Sequence, residues 1–294
     1  MTTTTARPGT AGSTEAAASV HPTAEPTSPA PVPPAATSGR RFRGAPLLRL
    51  ISPLLLLGLW QVLSSAGVIS ERQLSSPRSV VAAAIELWGT GQLPDAIGVS
   101  LQRVLIGVGL GLAIGVVLAL VSGFSRLGEL ALDPPLQMLR TVPFLGLVPL
   151  FILWFGIGEA PKVLLVALGV TFPLYLNLFA GIRGVDSKLV EAARTLGLRG
   201  FSLARHVVLP GALPQALVGL RLSLGVAWLS LIVAEQINAD AGLGYIVMNA
   251  REFYRTDIVV MGLVVYALLG LATDALVRLL EGKALAWRQS FTPS

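Results

Sequence analysis

The sequence predicts an all-α polytopic membrane protein, and three observations carry that prediction. The 294 residues are 53% hydrophobic and only 13% charged, about half the charge of a soluble domain. The mean hydropathy is +0.72. Six apolar stretches, at about 50–68, 98–123, 139–157, 163–182, 213–236 and 257–280, each approach the roughly 20 residues that a helix needs to cross a hydrocarbon core of ~30 Å.

The elements follow in order. Residues 1–39 are rich in Thr, Ala, Ser and Pro with no apolar periodicity; such a segment cannot bury enough surface to offset its ordering entropy and reads as a disordered tail. The remaining chain, 40–294, reads as one transmembrane domain. Arg40-Arg41-Phe42-Arg43 before the first apolar run has the look of a signal sequence, even a twin-arginine one. The further spans favour an uncleaved first helix instead. Between the first two spans, Pro77–Trp88 predicts a short amphipathic helix at the interface. Gly107, Gly111 and Gly115, four apart in span two, predict a flat strip for close helix packing. A tight turn at Gly158-Glu159-Ala160-Pro161-Lys162 separates spans three and four, and Pro143, Pro149 and Pro173 predict kinks in them.

Charge sets orientation and removes several function classes. With the N-terminus inside, fourteen cations lie on the inner side: Arg40, Arg41, Arg43, Arg49, Arg126, Arg140, Arg183, Lys188, Arg194, Arg199, Arg205, Arg278, Lys283 and Arg288. Six lie outside: Arg72, Arg78, Arg103, Lys162, Arg251 and Arg255. That bias predicts a cytoplasmic membrane protein with both termini and the 183–212 loop in the cytoplasm. The net charge of +6 is spread between spans rather than gathered on one face, so nucleic acid is not an expected partner. There is no Cys, which excludes thiol chemistry and disulfides, and His21 and His206 are too far apart to suggest a metal site.

The 183–212 loop is the most informative segment. Asp186 is placed to cap a short helix, Leu189, Ala193 and Leu196 fall at i, i+4 and i+7, and Gly197 suits a left-handed helix end. A second short helix at about 200–208 runs to Leu209-Pro210, where the chain is expected to turn back toward the membrane. The pattern Glu191-Ala192-Ala193, three residues, Gly197, nine residues, Val207, one residue, Leu209-Pro210 resembles the EAA motif of ABC importer permeases, with Val207 in place of that motif's Ile. The resemblance extends from about Leu54 to Trp287. Trp154-Phe155-Gly156-Ile157-Gly158, Leu209-Pro210-Gly211-Ala212-Leu213-Pro214 and Gly242-Leu243-Gly244-Tyr245 resemble the branch that imports sulfonates, taurine and nitrate. Met248-Asn249-Ala250-Arg251-Glu252-Phe253 and Trp228–Glu235 resemble the aliphatic sulfonate permeases within it.

The resemblance implies a type I importer permease fold and a loop that docks into a separate ATPase. Glu191 and Gly197 would shape that element, Ala192 and Ala193 would touch the ATPase, and Leu209-Pro210 would close the motif. It also implies two ATPase subunits, an external solute-binding protein and a second permease copy, with membrane lipid around them. ATP and Mg would be bound by the ATPase, because this chain carries no Gly-x-x-x-x-Gly-Lys-[Ser/Thr]; its Gly282-Lys283 is followed by Ala. The expected role is therefore transport of a small anionic solute, most simply an aliphatic sulfonate, with no covalent chemistry. Taurine, nitrate or a thiamine-precursor pyrimidine are alternative cargoes. An ion-coupled secondary transporter would show paired intramembrane carboxylates and inverted repeats, neither of which the sequence displays. A membrane hydrolase would need a nucleophile and base that the chain lacks.

Three span charges complete the expectations. Arg221 is a candidate for attracting an anion in the path, or for snorkelling to the inner interface. Glu235 reads as an interfacial or structural carboxylate near the outer end, and Asp274 as a hydrogen-bonding partner for a neighbouring helix.

Overall fold

In the computed structural model, residues 45–237 and 239–286 are described, with side chains from Ile51 onward except at 144 and 145. The expected tail at 1–39 lies outside the described residues. All regular elements among the described residues are helical, and eleven helices follow in order: α1 (Ala45–Ser65), α2 (Pro77–Gly89), α3 (Gln92–Phe124), α4 (Arg126–Thr141), α5 (Phe144–Phe155), α6 (Glu159–Arg183), α7 (Ser187–Thr195), α8 (Gly200–Leu203), α9 (Leu209–Gln236), α10 (Leu243–Glu252) and α11 (Thr256–Ala284). Four spans among the described residues are long and apolar enough to cross a membrane: α3, α6, α8 through α9, and α11. The bent α4–α5 pair makes a fifth, and α1 adds a shorter apolar helix, Ile51–Ser65.

The core is a slab of α3, α6 and α9. The glycine strip of α3 behaves as the sequence suggests: Cβ atoms added at Gly107 and Gly111 would lie 2.6 Å from Val166 Cβ and 2.5 Å from the Ala167 carbonyl oxygen. Gly115 faces Leu174 and Gly123 faces Ile182, so both chains advance together and the two helices are parallel. On the other side of α6, Gly169 meets Ser230 and Gly219 meets Asn177, an antiparallel pairing with α9. Ser223 Oγ donates to the Val170 carbonyl at 2.9 Å. Small residues let backbones approach where lipid offers no hydrophobic drive to pack.

Parallel α3 and α6 require a return across the membrane, and α4–α5 supplies it. Here the structure corrects the expected single span at 139–157. Two helices meet there at 112°, with Val142 extended at ψ 129 and Pro143 capping α5. The residue before a proline is driven out of the helical region, and Pro143 has no N–H to continue the ladder. The α4 arm is tied to α6 by Tyr175 Oη donating to Asp133 at 3.0 Å and by an Arg183–Glu129 ion pair. The following turn occupies Gly156–Gly158, with α6 starting at Glu159.

The 200–208 segment is a second correction. Instead of ending at Leu209-Pro210, α8 runs through a π turn at Ala204–Val208 directly into α9, giving one 37-residue helix from Gly200 to Gln236, about 55 Å long. Leu209 N–H bonds back five residues to Ala204. Pro210 offers no N–H and crowds the preceding turn, and the wider π register relieves that clash without breaking the rod.

Candidate functional site

The helix ends define two sites, one at the α7 end and one at the α10 end. At the α7 end, Asp186 caps its helix by accepting from Lys188 N at 2.9 Å. The helix closes when Leu198 N donates to Ala193 O at 3.0 Å and Gly197 N to Arg194 O at 3.0 Å. That bond pair needs the left-handed conformation that Gly197 adopts at φ 87. Glu191 and Ala192 are exposed, whereas Ala193 is buried against the chain's own loop. Leu189, Leu196 and Phe201 are 60%, 84% and 79% exposed. The expected apolar stripe is therefore split: its alanine faces inward and its leucines face solvent. Leu209 is half-buried and Pro210 exposed, both within the rod rather than at its end.

Arg221 projects from the same rod toward α11. Its Nη2 donates to Glu281 Oε2 at 2.6 Å and its Nε lies 3.2 Å from Asp274 Oδ1. Asp274 also pairs with Arg278. The cation expected in the path thus already has two carboxylates beside it, whereas Asp274 reaches α9 only as an ion-pair neighbour of Arg221 and spends its hydrogen bonds on Arg278 of its own helix.

At the α10 end, α3, α6, α9, α10 and α11 converge on Glu235. Its carboxylate accepts from Ser100 Oγ at 2.8 Å, Arg103 Nη1 at 2.7 Å, Gly244 N at 2.9 Å and Tyr266 Oη at 2.9 Å. Arg103 reaches onward to Glu159 at 2.5 and 2.6 Å and to the Ala241 carbonyl at 2.7 Å. Lys162 Nζ donates to Glu159 at 3.0 Å. Glycine makes this approach possible: a Cβ at Gly242 would sit 2.6 Å from Arg103 Nη1, and one at Gly244 2.4 Å from Glu235 Cβ. Two cations meet two carboxylates, as buried charge requires.

The sequence expectation for Glu235 as structural stands, but Ser100, Arg103, Glu159, Lys162 and Tyr266 were not anticipated as its company. Arg103 and Lys162, expected among the outer-side charges, are both buried. The signal was available: Arg103 falls inside the predicted span 98–123, where an unpaired cation is too costly to leave unexplained.

The comparisons with known proteins agree with this architecture. The family described as binding-protein-dependent transport system inner membrane component matches residues 111–285. The putative aliphatic sulfonates transport permease protein SsuC of Escherichia coli (strain K12) is 50% identical over 239 residues, covering 81% of this chain and 91% of the relative. The protein of the same name from Bacillus subtilis (strain 168) is 47% identical over 242 residues, covering 82% and 88%. A crystal structure of an amino acid ABC transporter with histidines is similar in fold, with a TM-score of 0.58, 22% identity, and coverage of 68% of this chain and 97% of that one. With the type I importer permease fold and a family match over most of its spans, the chain belongs to the binding-protein-dependent transport system inner membrane components.

Proposed function

We propose that this chain forms half of the translocation path of an ATP-driven importer of aliphatic sulfonates. The 37-residue rod carries the reading: it joins an exposed docking loop to the far side of the membrane without a break. In this reading the α7 end and both termini are cytoplasmic, and a separate ATPase, which binds the ATP and Mg, receives the loop. Ala192 gives close approach, and Leu189, Leu196 and Phe201 supply apolar contact area. Ala193 lets α7 sit flat on the π turn, Glu191 and Gly197 hold its shape, and Leu209-Pro210 pass its motion to α9. Two ATPase subunits need two such loops, so the working unit is two copies of this chain with an external solute-binding protein.

Closure of the ATPase pair draws the two loops together. Because Glu235 fastens the far end of α9 to α3, α10 and α11, and Arg103 carries the network on to α6 through Glu159, each slab turns as one body and access alternates by rigid rotation. Arg221 acts as a tie between α9 and α11, since its charge is already matched. Sulfonate cargo is favoured by the two SsuC relatives at 47% and 50% identity; taurine, nitrate and a pyrimidine precursor are the competing cargoes. Deleting this chain should abolish growth on alkanesulfonates as sole sulfur source. Unimpaired growth there, with loss on another nutrient, sinks the sulfonate assignment. Glu191→Lys should uncouple ATP hydrolysis from uptake; retained uptake with an intact ATPase complex would contradict the role given to the loop.

A further inference from the structure

The corner between α10 and α11 holds a cavity of about 730 Å³, within the size range of small-molecule sites. It lies at the end of the molecule away from the coupling loop, and Met248, Arg251, Glu252, Tyr254, Thr256 and Val259 line it. The segment Met248–Phe253, singled out in the sequence, contributes three of these residues, yet neither the charge cluster nor the coupling loop uses it.

Three observations give the cavity a chemistry. The first is an unspent cation. Arg103 and Lys162 are matched by Glu159 and Glu235, and Arg255 is matched by Asp257 and Glu86. Arg251 is exposed and has no carboxylate partner among the described residues. The second is the backbone. Tyr254 is held at φ 56, the one non-glycine residue with positive φ among the described residues. L side chains resist that conformation, and it persists where surrounding bonds impose it. Arg255 N to Ala250 O at 2.8 Å and Tyr254 N to Arg251 O at 3.2 Å impose it here, leaving the Tyr254 side chain exposed at the rim. The third is the wall: Met248 from α10 and Val259 from α11 add apolar surface to the cavity.

From these we infer that the cavity is a loading site for an amphiphilic organic anion. The anionic head pairs with Arg251, and the aliphatic tail lies on Met248 and Val259. Within the sulfonate reading, on which this inference rests, the ligand is an alkanesulfonate leaving the solute-binding protein. Glu252 opposes the anion, so the two neighbouring charges have opposite signs of effect. A corner that mattered only for packing would not separate them in this way.

The test uses the assembled complex in proteoliposomes, with saturating cognate binding protein and radiolabelled butane- and octanesulfonate as probes. Arg251→Gln should lower initial uptake about five- to tenfold, the loss of one solvent-exposed charge-assisted contact. Arg251→Lys should restore most of it, and Glu252→Gln should raise uptake above wild type at limiting sulfonate. Met248→Ala should depress octanesulfonate uptake more than butanesulfonate. The binding-protein concentration that half-maximally stimulates ATP hydrolysis should stay unchanged throughout. If that concentration rises in Arg251→Gln while maximal uptake holds, Arg251 is a protein-docking contact and the inference is wrong. Unchanged uptake in Arg251→Gln, or equal losses in Arg251→Gln and Glu252→Gln, also overturns it. Should Arg251→Gln fail to assemble, the Glu252→Gln sign and the Met248→Ala chain-length ratio decide. A wild-type complex that moves taurine or nitrate but no alkanesulfonate contradicts the sulfonate reading itself, and with it this ligand.

Discussion

Two charge clusters among the described residues, one around Glu235 and one around Arg221, have the same composition and opposite surroundings. Each contains two cations and two carboxylates, and each fastens α9 to α11. The cluster around Glu235 is dry: Arg103 and Glu235 side chains are 5% and 0% exposed, and only Glu159 is open to solvent. The cluster around Arg221 is wet, with Arg221 40% and Arg278 65% exposed. A buried charge that loses its partner keeps its desolvation cost, whereas an exposed one is rescued by water. The end near α10 is therefore a clamp, and the Arg221 cluster is a tie whose charges water can solvate if it opens. That contrast suits a rod pushed at one end and fixed to its body at the other.

The largest expected effect comes from attacking the clamp. Glu235→Ala removes the acceptor shared by Ser100, Arg103, the Gly244 N–H and Tyr266, leaving Arg103 only Glu159 and the Ala241 carbonyl, and should cost about 3–5 kcal/mol, read as a large fall in the unfolding midpoint in detergent. Adding Arg103→Ala should cost less than the sum of the two single changes, because the residues act as one network. A Glu235→Ala variant that melts with wild type would erase the distinction between the two ends. Below this in size stands the helix weld beside the clamp. Gly111→Ala drives a methyl toward the Ala167 carbonyl and should cost about 1–3 kcal/mol. Gly109→Ala, which meets nothing within 4 Å, should leave the midpoint unchanged or raise it. Smallest is the tie: Arg221→Met should lower stability by at most about 1 kcal/mol while altering the ratio of ATP hydrolysed to solute imported. Equal thermal losses for Arg221→Met and Glu235→Ala would show that burial does not separate the clusters.

Much of this architecture is legible in the sequence because membranes impose simple length and charge rules. The long spans, the glycine strip of α3, the Asp186 cap and the left-handed Gly197 each follow from one local constraint. What escaped depended on two constraints meeting. The break at Val142-Pro143 reflects proline geometry together with the return path demanded by parallel α3 and α6. The rod through Pro210 needed a π turn, which no residue pattern marks. Ala193 and Leu196 share a helical face by spacing, but where α7 packs on α8 and the π turn Ala193 is buried and Leu196 stays in solvent. Arg103 lies near the outer end of its span, where a cation fits an orientation count as well as an ion pair, and its partner Glu235 is 132 positions away, beyond any local pattern.

The chain contains no native Cys, so a single cysteine introduced at Ala192 reports on the coupling loop without background. In the complex purified with its ATPase subunit, Ala192→Cys should cross-link to that subunit through a short bifunctional reagent, while Leu101→Cys on the exposed apolar face of α3 should not. Prior labelling of Ala192→Cys with a bulky maleimide should block assembly or uncouple uptake. A labelled Ala192→Cys that assembles, hydrolyses ATP and imports solute at the wild-type rate would contradict the claim that this loop connects the permease to its motor.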